Sequence, residues 1–348
     1  MKSLRDISLN ITEADYRKDG CMHQSTLSTY EREGFYKLSK LFDEKKSESL
    51  TFGSMVDLLT LSGKEEFEKQ FMVVDLPSLP EAAEATIAEL FKLYCNLYDS
   101  LDSIPNEYVS TAAETNKFQL NWKPETRVKV LKEKYNNYYK LLYLAKGKTI
   151  VSTDTYIKAQ QCVSALLESE ATKFLFKKDS PFEENVERFS QLIFKSTFDG
   201  IDYSIMIDRI VVLHDKKIII PIDLKTSWHN EGEFYKSFID WGYSIQARQY
   251  YQVLRDNLDR DDFYKDYKLL NWHFVVINKE NLTPLVWEYK DTKEMGTLYY
   301  GKNKEIVCRH PFDIAKELKY YLDNKPKVPD GISLNKPNDI VEWINREM

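Results

Sequence analysis

The stretch YSIMIDRIVVLHDKKIIIPIDLKTS, residues 203–227, decides how the rest of the chain is read. It holds two runs rich in isoleucine and valine, the composition of strands. Each run is broken once by an acid, Asp208 in the first and Asp223 in the second, with Lys225 two places on. With Asp215 and Lys216 as a two-residue turn, His214 faces Lys217, and counting back sets Asp208 directly across from Asp223. Opposed side chains share a face with Cβ atoms about 5 Å apart, and Lys225 points to that face as well. Pro221 has no amide hydrogen to give and marks a bulge or edge position, which would slip this register by one.

Two carboxylates brought together inside an apolar sheet repel each other and are costly without a counter-charge. A divalent cation resolves the repulsion, and hard oxygen ligands suit Mg2+ or Mn2+. A lysine beside such an ion can orient a water or help deprotonate it, and that water can attack a phosphodiester. The plainer alternative is a surface hairpin whose Asp208 makes an ordinary ion pair with Arg209 or Lys225. Two acids and a lysine together, all within isoleucine-rich strands, favour the metal site.

Working outward, residues 1–24 read as an N-terminal arm and 25–348 as one domain. Leu27, Tyr30, Phe35 and Leu38 recur at near-helical spacing over 23–42, with Ser25 as an N-cap. LTFGSMVDLLTLSG (50–63) is a short strand or turn leading into a helix, and another helix starts at Glu81 after proline-spaced turns. Residues 125–145 and 153–176 read as two long helices, the second capped by Thr153 or Asp154. From 188 the period changes to two, giving three successive strands. A helix over 239–258, strands over 270–280 and 283–290, and a closing helix over 311–324 with a tail to 348 complete the order. That order is α/β: a mixed central sheet flanked by helices, with a helical elaboration over 75–176 and the site-bearing sheet and helix within 185–290.

A chain of 348 residues, 43% hydrophobic and 14% aromatic, suffices for a large core. It has no run of about 18 apolar residues, so no membrane span is expected. The polar first twenty residues lack the apolar stretch of a secretion signal, so a cytoplasmic location is expected. Cys21, Cys95, Cys162 and Cys308 form no C-x-x-C pair, so they read as reduced core residues, and neither zinc nor an iron–sulfur cluster is expected. A net charge of -6 argues against nonspecific coating of nucleic acid, but not against a nuclease, whose metal-binding carboxylates are themselves acidic.

The succession IDRI, PIDLKTS and YSIQARQY resembles the PD-(D/E)XK nucleases, specifically the RecB-like branch with phage and prophage recombination exonucleases of the exonuclease VIII type. That branch carries an Asp, then Asp-x-Lys, then a helix with Gln-x-x-x-Tyr. Here these are Asp208, then Asp223, Leu224 and Lys225, then Gln246 and Tyr250. The resemblance implies a PD-(D/E)XK, restriction-endonuclease-like core and a metal-dependent deoxyribonuclease. One or two Mg2+ or Mn2+ ions would be held by Asp208 and Asp223 with the backbone carbonyl of Leu224, and Lys225 would position the attacking water. Gln246 and Tyr250, spaced i and i+4 on one helix face, would contact substrate or site; Tyr250 alone reads equally well as a core aromatic.

RecB-like nucleases open an early helix with Gly-x-x-x-His, whose His is a further metal ligand. FGSMVDLL matches at Gly53 but has Asp57 in the histidine's place. Asp57 can ligate Mg2+ or Mn2+, or it is a helix-turn acid with no metal. STLSTYEREGFYKL is similar to the segment that precedes this helix. Gln191 stands where family members often carry Glu on the strand before the first Asp, and could hydrogen-bond a metal-bound water. Lys177, Lys178 and Lys195 are loose candidates for phosphate tracking, each also readable as a solvated surface charge. The resemblance spans roughly 23–290 and is dense over 188–252.

The activity it implies is 5′→3′ exonuclease digestion of double-stranded DNA from a free end, in recombination or repair. It further implies a homo-oligomer, a single-strand annealing protein as partner, and the host cytoplasm if the chain is phage-encoded. A structure-specific or single-strand endonuclease on the same core is the rival within the class and would cut closed circles. A non-catalytic nucleic-acid-binding module with a vestigial site is the rival outside it, left open by the departures at Asp57 and Gln191.

Overall fold

A computed structural model of the chain describes residues 2–34, 38, 41–42, 47–180, 182–230, 232–290, 297–300 and 304–324. Phe35 of the 23–42 pattern and the tail beyond 324 lie outside the described residues. The chain divides into two compact units, Met1–Leu61 with Gln160–Met348, and Ser62–Ala159. Among the described residues no helix is long and apolar enough to cross a membrane.

The first unit opens with helices α1 (Glu13–Tyr16), α2 (Gln24–Glu33) and α3 (Glu48–Asp57). Helix α2 ends at Gly34, whose φ of 71° is a left-handed conformation that glycine adopts without strain. The N-terminal arm is packed rather than loose. Leu4 is fully buried, the Leu9 N–H donates to Ile193 O at 2.8 Å, and the Met22 N–H donates to Asp202 O at 2.8 Å.

The second unit holds α4 (Lys64–Gln70), β1 (Phe71–Val73), α5 (Glu81–Tyr94), α6 (Asn106–Thr115), α7 (Pro124–Leu144), β2 (Thr149–Val151) and the start of α8 (Thr153–Glu168). Prolines precede or open α5, α6 and α7, at Pro80, Pro105 and Pro124, where a missing amide hydrogen costs a helix nothing. The three helices bury Ile87, Leu90, Val109, Leu131 and Tyr139 in one apolar cluster. Strands β1 and β2 pair in parallel, Phe71 with Thr149 through Val73 with Val151. The Ser152 hydroxyl accepts the Thr155 N–H at 3.2 Å, so the cap of α8 stands one residue ahead of Thr153. The expected 153–176 helix is broken: Thr172 donates its hydroxyl to Leu166 O at 2.7 Å, and α9 (Lys173–Phe176) restarts after it.

Back in the first unit come β3 (Val186–Phe198), β4 (Ile201–Leu213), β5 (Ile218–Ser227), α10 (Phe234–Asp240), α11 (Tyr243–Asp259), β6 (Lys268–Leu269), β7 (Trp272–Asn278), β8 (Pro284–Tyr289), β9 (Thr297–Tyr300), β10 (Lys304–Val307) and α12 (Pro311–Asn324). The large sheet runs β3-β4-β5-β7-β8, with β6 beside β5. All its pairs are antiparallel except those of β5 with β6 and β7. This is the mixed α/β sheet flanked by helices that the element order implies. A parallel step needs a crossover, and α10 and α11 supply it. They are separate helices, not one, because Gly242 sits between them at φ 64°, where a side chain would be strained and its Cβ would lie 3.3 Å from Ile245 Cδ1.

The core of this unit gathers Ile245, Tyr250, Val253, Leu254 and Leu258 of α11 against one face of the sheet. On β4 that face is taken by Tyr203, Ile205 and Ile207, and then by Ile210 and Val212. On β3 it is taken by Phe189, and then by Leu192 and Phe194. Both strands therefore break the alternation once, at the same height. The paired positions run from Val186 and Leu213 to Ser190 and Arg209, and resume at Leu192 and Ile207. Gln191 and Asp208 face each other in the interruption, and Gln191 has a left-handed φ of 54°. One residue on each strand is involved and the register is kept, so this is a paired irregularity, but like a bulge it re-aims a side chain. Here it turns Asp208 onto the face of α11, where strict alternation from Ile207 would have turned it away.

Candidate active site

Strands β4 and β5 pair from Leu213 with Ile218 to Arg209 with Ile222, the register counted from the sequence. The next position sets Asp208 against Asp223. The turn closes with the Lys217 N–H donating to His214 O at 3.2 Å. Pro221 pairs with Ile210 and does not slip the register. It lies where the other neighbour of β5 changes from β6, paired through Ile219, to β7, paired from Ile222, so the ladder there has no use for its missing donor.

At the head of this hairpin the polar groups close on one another. Asp208 Oδ2 accepts the Leu224 N–H at 2.9 Å. Asp223, only 1% exposed, takes the Gln246 amide on one oxygen and the Lys225 ammonium on the other. The Lys225 ammonium also lies 5.2 Å from the centre of the Tyr243 ring. Asp208 and Asp223 lie side by side across the hairpin, close enough that the Asp223 charge disfavours ionisation of Asp208. Arg209 takes no part. Its guanidinium goes to the far face of β4, donating to Leu175 O, Lys177 O and Ser190 Oγ at 2.8–2.9 Å.

Burial dominates the electrostatics. It raises the Asp208 carboxyl from 3.8 to about 7, helped by the neighbouring Asp223 charge. Asp223 is raised as well, burial outweighing the ion pair with Lys225. Burial alone would weaken the charge on Lys225, but the Asp223 carboxylate keeps its ammonium above the ordinary lysine range. The site thus holds two acids that ionise reluctantly and one cation that stays charged.

Asp57 ends α3 and leads into a π-turn over Leu58–Ser62, a local irregularity common at functional sites. Burial holds its carboxyl well above the usual range, followed by Asp208, with Lys225 opposing. Helix α3 approaches β5 at Gly53, where a Cβ would lie 3.6 Å from Thr226 Oγ1. Tyr250 is buried and packs edge-on to Trp272 with ring centres 5.4 Å apart. Burial raises its hydroxyl first, and the neighbouring Tyr16 adds to that. Tyr16 is the residue that the motif order gives no hint of: it comes from the arm, and its own hydroxyl is pushed up to about 12 by burial.

The lysines stand elsewhere. Lys177 pairs with Glu183 at 2.6 Å, and its carbonyl receives Arg209 on the opposite face of the sheet, while Lys178 is exposed. Lys195 pairs with Asp202 at 3.3 Å, four residues along β3 from Gln191. The four cysteines are free thiols, Cys21 and Cys162 buried.

Among the described residues, no group of three or more His, Cys, Asp or Glu side chains is drawn together as a metal cage. What the site offers an ion is the Asp208 and Asp223 carboxylates and the Leu224 carbonyl, which projects to the same strand edge as the N–H bound by Asp208. All are hard oxygens, and among the described residues these two adjacent acids are met by one lysine, so the donor set fits Mg2+ or Mn2+. Asp57 adds a further acid to the field around them.

No protein-family model matches the chain, and no curated protein matches it. One solved structure, described as "Putative exonuclease" from Eubacterium rectale, is similar over 91% of this chain and 85% of its own, at 13% identity and a TM-score of 0.41. Likeness of that depth is compatible with many functions on one architecture.

Proposed function

We propose that the chain is a metal-dependent nuclease with a PD-(D/E)XK core that hydrolyses phosphodiester bonds in DNA. One observation carries the reading: Asp208, Asp223, Lys225 and Gln246 converge on one face of the sheet in a bonded set, although nothing in a plain hairpin requires it. A structural ion pair would use Asp223 and Lys225 and leave Asp208 out. Instead a bulge shared by two strands turns Asp208 inward.

Asp208, Asp223 and the Leu224 carbonyl would hold the ion, with Asp57 nearby. When bound, the ion would polarise the phosphate and lower the pKa of water. Gln246 fixes the rotamer of Asp223 through its amide, a supporting contact of the kind that tunes ligand orientation. Lys225, charged and held by Asp223, is placed to hydrogen-bond the attacking water or a phosphate oxygen. The water oxygen bonds to phosphorus, the ester P–O bond breaks, and the departing oxygen takes a proton. Tyr250 and Tyr16 are buried within the electrostatic reach of these acids.

The finer assignment is 5′→3′ digestion of duplex DNA from a free end, in a homo-oligomer partnered by a single-strand annealing protein during phage-type recombination. That finer assignment comes from the resemblance to the recombination exonucleases alone. The test is digestion of linear duplex, single-stranded and covalently closed circular DNA by wild type and Lys225→Ala, with Mg2+, with Mn2+ and with EDTA. Metal-dependent loss of linear duplex by wild type alone is expected. Cutting of closed circles points to an endonuclease. Equal activity in both proteins, or none in either, overturns the catalytic assignment.

A further inference from the structure

Immediately after β5 ends at Ser227, Trp228 is 63% exposed. It stands three residues beyond Lys225, about 10 Å of extended chain, within reach of a nucleotide next to the one being cut. Its ring is seated on a cation: the Lys279 ammonium lies 3.1 Å from the ring centre, and Lys279 itself is only 4% exposed. The same ammonium lies 5.3 Å from the Phe52 ring on α3, the helix that ends in Asp57. The backbone around the indole is braced as well. The Lys279 N–H donates to Ser227 O at 3.0 Å, the His229 N–H donates to Ser227 Oγ at 3.0 Å, and Asn278 Nδ2 donates to His229 O at 2.7 Å. A surface tryptophan held by a buried lysine below and by fixed chain on both sides has little rotamer freedom left to lose. Two more exposed aromatics, Tyr235 and Trp241, follow in the segment that joins β5 to α11.

We propose that Trp228 is a stacking platform for an unpaired nucleobase of the strand whose phosphodiester is hydrolysed, an inference that rests on the nuclease reading above. Every base has a π-face, so such a platform holds a strand without reading its sequence. A base offers that face only when it is unstacked from its duplex neighbour. The preferred substrate is therefore a strand already single, or frayed, at the site.

Wild type, Trp228→Leu and Trp228→Phe are compared in EDTA for binding of a fluorescein-labelled thymidine oligonucleotide and of an abasic oligomer of the same length and charge. The leucine variant is expected to bind the thymidine oligomer about tenfold more weakly and the phenylalanine variant to stay near wild type, while the abasic oligomer binds all three alike. Unchanged melting temperatures establish that the variants fold. Equal binding of the thymidine oligomer by wild type and Trp228→Leu overturns the platform, as does an equal loss on the abasic oligomer. Cleavage in Mg2+ is followed in parallel. Base-dependent binding without any cleavage supports the platform and counts against the nuclease reading, whereas cleavage without base-dependent binding overturns the platform alone.

Discussion

Replacing Asp208 with Asn should make the metal-free protein more stable above neutral pH while abolishing the DNA cleavage proposed above. Burial and the Asp223 charge raise the Asp208 carboxyl from 3.8 to about 7. The folded chain therefore holds a proton that the unfolded chain releases, and the stability this proton supplies is full below about pH 4 and lost as pH rises through about 7. At about 1.4 kcal/mol per pH step the ceiling is about 4 kcal/mol. Asp208 titrates together with Asp223 and is partly reached by solvent, so about 2 kcal/mol is the expected effect. An asparagine at this position never ionises, yet its oxygen can still accept the Leu224 N–H. Melting in EDTA should show near-equal temperatures at pH 4.5 and a gain of about 4–8 °C for Asp208→Asn at pH 8. Mg2+ should raise the wild-type temperature at pH 8 and leave the variant's unchanged. A variant that is less stable than wild type at pH 8, or by the same amount at both pH values, would refute the account of two crowded acids.

Lys225→Ala leaves the Asp223 carboxylate buried without its counter-ion and should cost about 3 kcal/mol in urea denaturation; unchanged stability would mean that Asp223 is protonated and needs no partner. Gln246→Leu removes the amide that orients Asp223 and should slow Mg2+-dependent cleavage about 10- to 100-fold, with a melting temperature near wild type. A rate equal to wild type removes Gln246 from the site. Gly242→Ala places a side chain at φ 64° beside Ile245 and should destabilise by about 1–2 kcal/mol, read as a lower urea midpoint.

The hairpin and the Gln246–Tyr250 helix face are legible in the sequence because both depend on local rules, a turn and the spacing of neighbours along one element. Pro221 invites a register slip that does not occur, since pairing to β6 and β7 on the far side of β5 is a property of the folded sheet. Helix α6 escapes notice because it buries Val109, Ala112 and Ala113, residues too small to mark an apolar stripe. Tyr16 is invisible for another reason: it comes from the arm to lie near Tyr250 of α11, and no periodicity reports such a neighbour. The bulge at Gln191 and Asp208 is written in two strands at once, each of which alone reads as an ordinary alternating run with one misplaced polar residue.

That bulge can be stated as a subtraction. Without Gln191 and Asp208, Ser190 and Arg209 would be followed directly by Leu192 and Ile207, and the faces of both strands would alternate without a fault from Phe189 to Phe194 and from Tyr203 to Val212. Every apolar residue would keep its present side, and Arg209 its far-face carbonyls. The two facing residues therefore stand as a matched pair outside an otherwise regular alternation, and the apolar pattern of both strands is complete without them.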